Sequence, residues 1–199
     1  MHIKMIKLRA ITIILSILIL VGIFPAGCAN DDSGYVRVTA VKRGISFSFE
    51  YPALYYKYTS DVFDDNTNDH SVVLLYRSPG NFQGKADKQI YIRPCEPLPD
   101  RPDASTWTEE HLKILKNGDP RYELIERSTI QVAGISGEMA VYNTSVLGNY
   151  LSAPYTVCRD AYIDYQGYIW KISVMAVTAI EDEVKLDFEH LIKSFKFFN

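Results

Sequence analysis

Apolar and polar residues alternate with a period of two in ISFSFEYP (45–52), where Ser46, Ser48 and Glu50 separate Ile45, Phe47, Phe49 and Tyr51. That period predicts a strand with one buried face, and Pro52, lacking a backbone donor, ends it. SVVLLYRS (71–78) and KQIYIRPC (88–95) predict two more strands, separated by a glycine-containing loop at 79–88. YELIERSTIQVAG (122–134) and ISGEMAVYNTSV (135–146) predict a pair joined through Gly134 to Gly137. YTVCRDAYIDY (155–165) and YIWKISVMAV (168–177) predict a second pair turning at Gln166-Gly167. In the last of these, Tyr168, Trp170, Ile172, Val174 and Ala176 share a face.

Two stretches change to the helical period. A helix is expected from Thr106, whose side chain and that of Glu109 have capping-box spacing. Leu112 and Leu115 share its inner face, and Gly118 is its stop. In EDEVKLDFEHLIKSFKF (181–197), Val184, Phe188, Leu191, Ile192 and Phe195 form an apolar stripe, with Asp187, Glu189 and Lys193 outside. Acids at its start and lysines at its end suit the helix dipole. Between these elements, ALYYKY (53–58) predicts a turn or short helix and SDVFDDNTNDH (60–70) an acidic loop. The prolines at 94, 97, 99 and 102 predict a stiff, exposed connection. Antiparallel strands with helices packed over them make an α+β sandwich.

The first 27 residues follow a different rule. Lys4, Lys7 and Arg9 precede an uncharged apolar run from Ile11 to Phe24, and Ala26 and Gly27 follow it. This is the layout of a secretory signal peptide, and the run is short of the ~20 residues of a membrane-spanning helix. Ala26-Gly27-Cys28 resembles the lipobox of bacterial lipoproteins, with Pro25 standing where an aliphatic residue is usual. The resemblance implies a lipid-carrying Cys28 at the new N-terminus and a domain held on the extracytoplasmic side of the cell membrane by buried acyl chains. The expected organisation is a lipoprotein signal peptide at 1–27, a lipidated cysteine and tether at 28–40, and one domain at 41–199. With Cys28 so used, Cys95 and Cys158 remain, either as an exported disulfide or as two free thiols.

Charge narrows the partners. Three of the 21 basic residues and none of the 24 acidic ones lie in residues 1–27. The remainder is therefore acidic by about six charges and carries no Lys/Arg cluster, which argues against nucleic acid.

GISFSFEYP (44–52), VAGISGEMAVYN (132–143) and FEHLIKSFKF (188–197) together resemble PsbP-like and Mog1-like domains. The likeness spans most of 44–197. It departs where Tyr55 and Tyr56 replace a tryptophan after Tyr-Pro, and at the proline-rich 94–102 segment. The resemblance implies a central antiparallel β-sheet flanked by helices, an α/β/α sandwich, and a mostly non-enzymatic role: such domains bind a larger assembly, as PsbP does at photosystem II and Mog1 at the Ran GTPase. Many bacterial members are lipoproteins, in keeping with Cys28.

Candidate chemistry is sparse. Asp64, Asn66 and Asn68 have the alternate spacing of an EF-hand, with Asp61 and Asp65 nearby. Position six is Asp69 where glycine is needed, and position twelve is Leu75 where glutamate is needed, so the Ca²⁺ site is a weak candidate. His70, His111 and His190 lack zinc spacing, and the last two are expected on helix exteriors. Ser136 lacks the first glycine of a nucleophile elbow. Cys158 shares a strand face with Asp160, Tyr162 and Asp164, and neighbouring carboxylates would leave its thiol inert. No cofactor or metal is expected. Of the 14 tyrosines, the YYKY cluster, Tyr55, Tyr56 and Tyr58, is the preferred interaction surface, since consecutive tyrosines cannot all face one core. The expectation is a lipid-anchored, non-catalytic binding or assembly module with an envelope protein partner. The alternative is a Ca²⁺-dependent or hydrolytic surface enzyme using the acidic loop 61–70.

Overall fold

A computed structural model describes residues 34–59, 61–65, 71–77, 86–96, 103–145, 156–177 and 181–198. The leader, Cys28, Asn66, Asn68 and His70 lie outside the described residues. The strands are β1 (Tyr35–Lys42), β2 (Ile45–Pro52), β3 (Tyr56–Lys57), β4 (Val72–Tyr76), β5 (Lys88–Cys95), β6 (Glu123–Val132), β7 (Ile135–Thr144), β8 (Thr156–Tyr165), β9 (Tyr168–Val177) and β10 (Lys196–Phe198). Among the described residues the helices are α1 (Ala104–Gly118) and α2 (Glu181–Ser194). None of them is long and apolar enough to cross a membrane.

Among the described residues every strand pair is antiparallel. The large sheet runs β3-β4-β5-β9-β8-β7-β6, and a small one runs β1-β2-β10. Three hairpins, β1-β2, β6-β7 and β8-β9, turn on two residues: Arg43-Gly44, Ala133-Gly134 and Gln166-Gly167. Both residues of each turn have positive φ, the pattern of a type I′ turn, which suits the twist of the flanking strands and favours glycine in the second place. Asp65 closes the first turn, its two carboxylate oxygens accepting from the Arg43 and Gly44 amides at 2.7 Å each.

Period-two alternation sends each large-sheet strand's side chains to two cores. One face gives Leu74, Ile90, Ile163, Trp170 and Ile172 to a core shared with Phe47 and Phe49 of β2 and with Val184, Phe188 and Leu191 of α2. The other gives Val73, Tyr142, Cys158, Tyr162 and Met175 to a core under Leu112 and Leu115 of α1. The α+β class and central antiparallel sheet are present, but the flanking is uneven. A helix covers one face, while the other is shared between α2 and a second sheet.

Four expectations are corrected. The tether does not reach residue 40, because Tyr35–Lys42 is β1, paired along its whole length with β2. The α1 N-cap is Asp103: its carboxylate takes the Thr106 amide at 2.7 Å and the Thr106 hydroxyl at 3.1 Å, so the first turn forms earlier than a Thr106 cap allows. Pro94 lies within β5, opposite Trp170, past the last β4 residue pair at Ile92, where its missing donor breaks no β4 bond. Asp187, expected outside α2, is buried, because Lys88 and Tyr55 meet it at 3.0 and 2.8 Å.

Candidate functional site

The large sheet is wider than what covers it. α2 and the small sheet lie over its middle, so the β6–β8 end is left as the floor of an open groove of about 770 Å³ beside α2. Period two puts Ile130 of β6, Met139 of β7 and Arg159 of β8 on that floor, and α2 supplies a wall with Leu186 and Phe188. Leu186 is 63% exposed. Tyr35 also lines it, its ring stacked on His190 at 3.6 Å.

The charged groups here differ in how well they are partnered. Glu50 receives His190 at 2.8 Å and Arg37 at 2.5 Å. Its burial would raise its pKa, but the His190 and Arg37 hydrogen bonds outweigh this and hold the carboxyl below its usual range. Glu126 accepts from the Ser128 hydroxyl at 3.0 Å. Arg159 is different. Its side chain is only 13% exposed and Nη2 stands 3.6 Å from Glu181 Oε1, beyond hydrogen-bond range. Its Nε is fully covered and meets no acceptor among the described residues.

On the opposite sheet face, beneath α1, is a closed polar cluster. Asp160 Oδ2 accepts from Tyr142 (2.7 Å), Tyr162 (2.6 Å) and Lys171 (2.9 Å), and Oδ1 from Ser173 at 2.5 Å. Burial alone would raise the Asp160 carboxyl; the Lys171 charge and the hydroxyls prevail and keep it below its usual range. Lys171 in turn is held above its usual range, Asp160 overcoming burial. Its Nζ also lies 3.4 Å from His111 Nε2. His111, stacked on Trp107, is pushed down to about 4, by burial first and the Lys171 charge second. Each carboxylate oxygen is already occupied, so the cluster can stabilise the sheet but has no open position for a reacting group.

The sequence-derived site residues scatter. Tyr55 is a core residue, 4% exposed, with its hydroxyl on Asp187 at 2.8 Å, so the YYKY surface loses its first member. Tyr56 and Tyr58 are exposed. Cys95 and Cys158 are free thiols. They lie opposite Ile169 and Met175 of β9, six positions apart, which at ~3.3 Å per residue is roughly 20 Å, well beyond disulfide reach. Burial first, then the Asp160 charge, pushes the Cys158 thiol well up; burial also raises Cys95. His111 and His190 are not helix exteriors but stacked, half-buried partners of Lys171 and Glu50. Among the described residues, no group of acids, histidines and cysteines could hold a metal ion. In the acidic loop, Asp65 is spent on the β1-β2 turn and the Asp64 carbonyl accepts from Lys42. The residue missed at first is Arg159. Its signal was a charge interrupting the apolar alternation Val157, Ala161, Ile163.

A two-sheet α+β domain with an open, mixed-polarity groove has the PsbP/Mog1-like fold. The chain is similar to cyanobacterial PsbP (CyanoP) from Synechocystis sp. PCC 6803, at 16% identity and a TM-score of 0.55, over 88% of this chain and all of that one. It is similar to LpqN of Mycobacterium tuberculosis at 12% identity and 0.54, over the same shares. The Ran-binding protein Mog1p of Saccharomyces cerevisiae matches at 16% identity and 0.51, over 80% of this chain and 93% of that one. At these identities the likeness is one of fold. No protein-family model and no curated protein sequence matches the chain.

Proposed function

We propose that the chain is an exported, lipid-anchored, non-catalytic module that holds a protein partner of the cell envelope in the groove between α2 and β6–β8. The observation that carries this reading is the groove itself: an open concavity joining apolar walls to a mostly buried guanidinium whose Nε meets no acceptor among the described residues. Arginine, methionine and aromatic side chains around a desolvated centre are what protein interfaces favour. The leader and the Ala-Gly-Cys28 sequence support the envelope address. LpqN is described as involved in cell envelope biogenesis and Mog1p as Ran-binding, which fits an envelope location and a protein partner.

The test is mass spectrometry of the full chain isolated from its native cells after in-cell cross-linking. The N-terminal peptide should begin at an acylated Cys28, and one envelope complex should be linked to groove residues. Retention of Met1, or links confined to α1, contradicts the address or the docking face respectively.

A further inference from the structure

We infer that the occupant of the groove is an acidic polypeptide segment, a carboxylate flanked by apolar residues, with Arg159 as its anchor. This deepens the binding reading and rests on it.

A guanidinium carries five donors in a rigid fork and stays charged in proteins. Leaving it largely buried without hydrogen bonds costs stability. Yet Arg159 Nε is fully covered and meets no acceptor among the described residues, on the groove floor where β8 runs between β7 and β9. Its one ion-pair partner, Glu181, is 3.6 Å away and 43% exposed, a loose contact that water and salt screen. The other acids lining the groove have partners of their own: Glu126 accepts from Ser128, and Glu189 stands 4.0 Å from Lys185. An incoming carboxylate would therefore meet a guanidinium whose donors are poorly used, and could take it bidentately.

The surroundings say what the carboxylate is attached to. Ile130, Met139 and Leu186 offer apolar contact on both sides of Arg159, while the rim carries both signs, Lys185 and Lys193 with Glu126 and Glu189. A volume of about 770 Å³ accommodates a few side chains. An open groove with a mixed-sign rim matches a polypeptide, whose backbone and neighbouring side chains need polar partners, rather than a lipid, whose tail gains from a closed apolar tunnel.

The experiment is selection of a phage-displayed dodecapeptide library on the full chain, solubilised with its anchor. Amide-shift mapping with the selected synthetic peptide follows, with decyl phosphate as a second probe. The expected consensus is Asp or Glu between apolar residues, shifting Ile130, Met139 and Leu186. Replacing that acid by its amide, or making Arg159→Gln, should weaken binding roughly ten- to a hundredfold. Glu181→Gln removes the loose internal partner at an exposed position and should tighten binding about two- to threefold; this second variant keeps the test valid if Arg159→Gln fails to fold. Groove-binding peptides without an acid overturn the inference while leaving the binding module standing. Selection of no groove-binding peptide, or shifts produced by decyl phosphate alone, overturns it together with the protein-docking reading.

Discussion

His111 and Lys171 show how a residue's neighbours, 60 positions away in sequence, set its chemistry. The ammonium donates, so His111 Nε2 accepts and the ring is neutral. With the folded ring pushed down to about 4 and the unfolded one near ~6.5, falling pH protonates the unfolded chain first. This contribution is therefore fully present above about pH 6.5 and is lost as pH falls to about 4, a loss of up to about 3 kcal/mol. Denaturant titrations at pH 7 and 5 should show a larger decline for the wild type than for His111→Phe, which keeps the stack on Trp107. Equal declines would contradict the buried neutral ring. Tyr55 and Tyr56 make a second contrast at this scale. Tyr55→Ala empties a core position and should cost about 3–5 kcal/mol, whereas Tyr56→Ala, at 42% exposed, should stay within about 0.5 kcal/mol. A similar melting temperature for both variants would contradict the assignment of Tyr55 to the core.

At the scale of elements, the hairpins were legible and their close approaches were not. Gln166-Gly167 announces a turn in the sequence, and the alternation in 45–52 and 168–177 correctly gave their inner faces, because period and turn chemistry are local. β1 was missed although Val36, Val38 and Ala40 alternate, because its start adjoins a polar stretch. The burial of Asp187 was not legible at all. A carboxylate enters a core only when its partners are there, and Lys88 and Tyr55 are 99 and 132 residues away. Gly137 belongs with these long-range features: a Cβ there would stand 2.2 Å from the Tyr162 carbonyl oxygen and 2.5 Å from Ile163 Cγ2. Backbone held in the β7-β8 ladder cannot give way. Gly137→Ala should therefore cost about 1–3 kcal/mol by overpacking, read as an earlier denaturant midpoint with an unchanged slope; a midpoint equal to wild type would mean that the strands separate easily.

For the molecule as a whole, the fold class followed from pattern, but the candidate site did not. Its parts are a strand residue on β8, side chains from β6 and β7, and one side of α2. What joins them is the shortfall between a seven-stranded sheet and the smaller layer covering it. No local stretch encodes that shortfall. The exposed tyrosines drew attention because aromatic clusters are visible in sequence, whereas Arg159 gains its meaning only from the burial of its neighbours. The central claim is that the groove face, not the α1 face, meets the partner. Leu186 on the first and Ile114 on the second are nearly matched in exposure, at 63% and 61%. A photo-cross-linking side chain placed at each, in the full chain expressed in its native cells, compares the two faces directly. The account predicts a discrete adduct from position 186 that Arg159→Gln abolishes, and none from 114. An adduct from 114 alone, or from 186 regardless of Arg159, would contradict it.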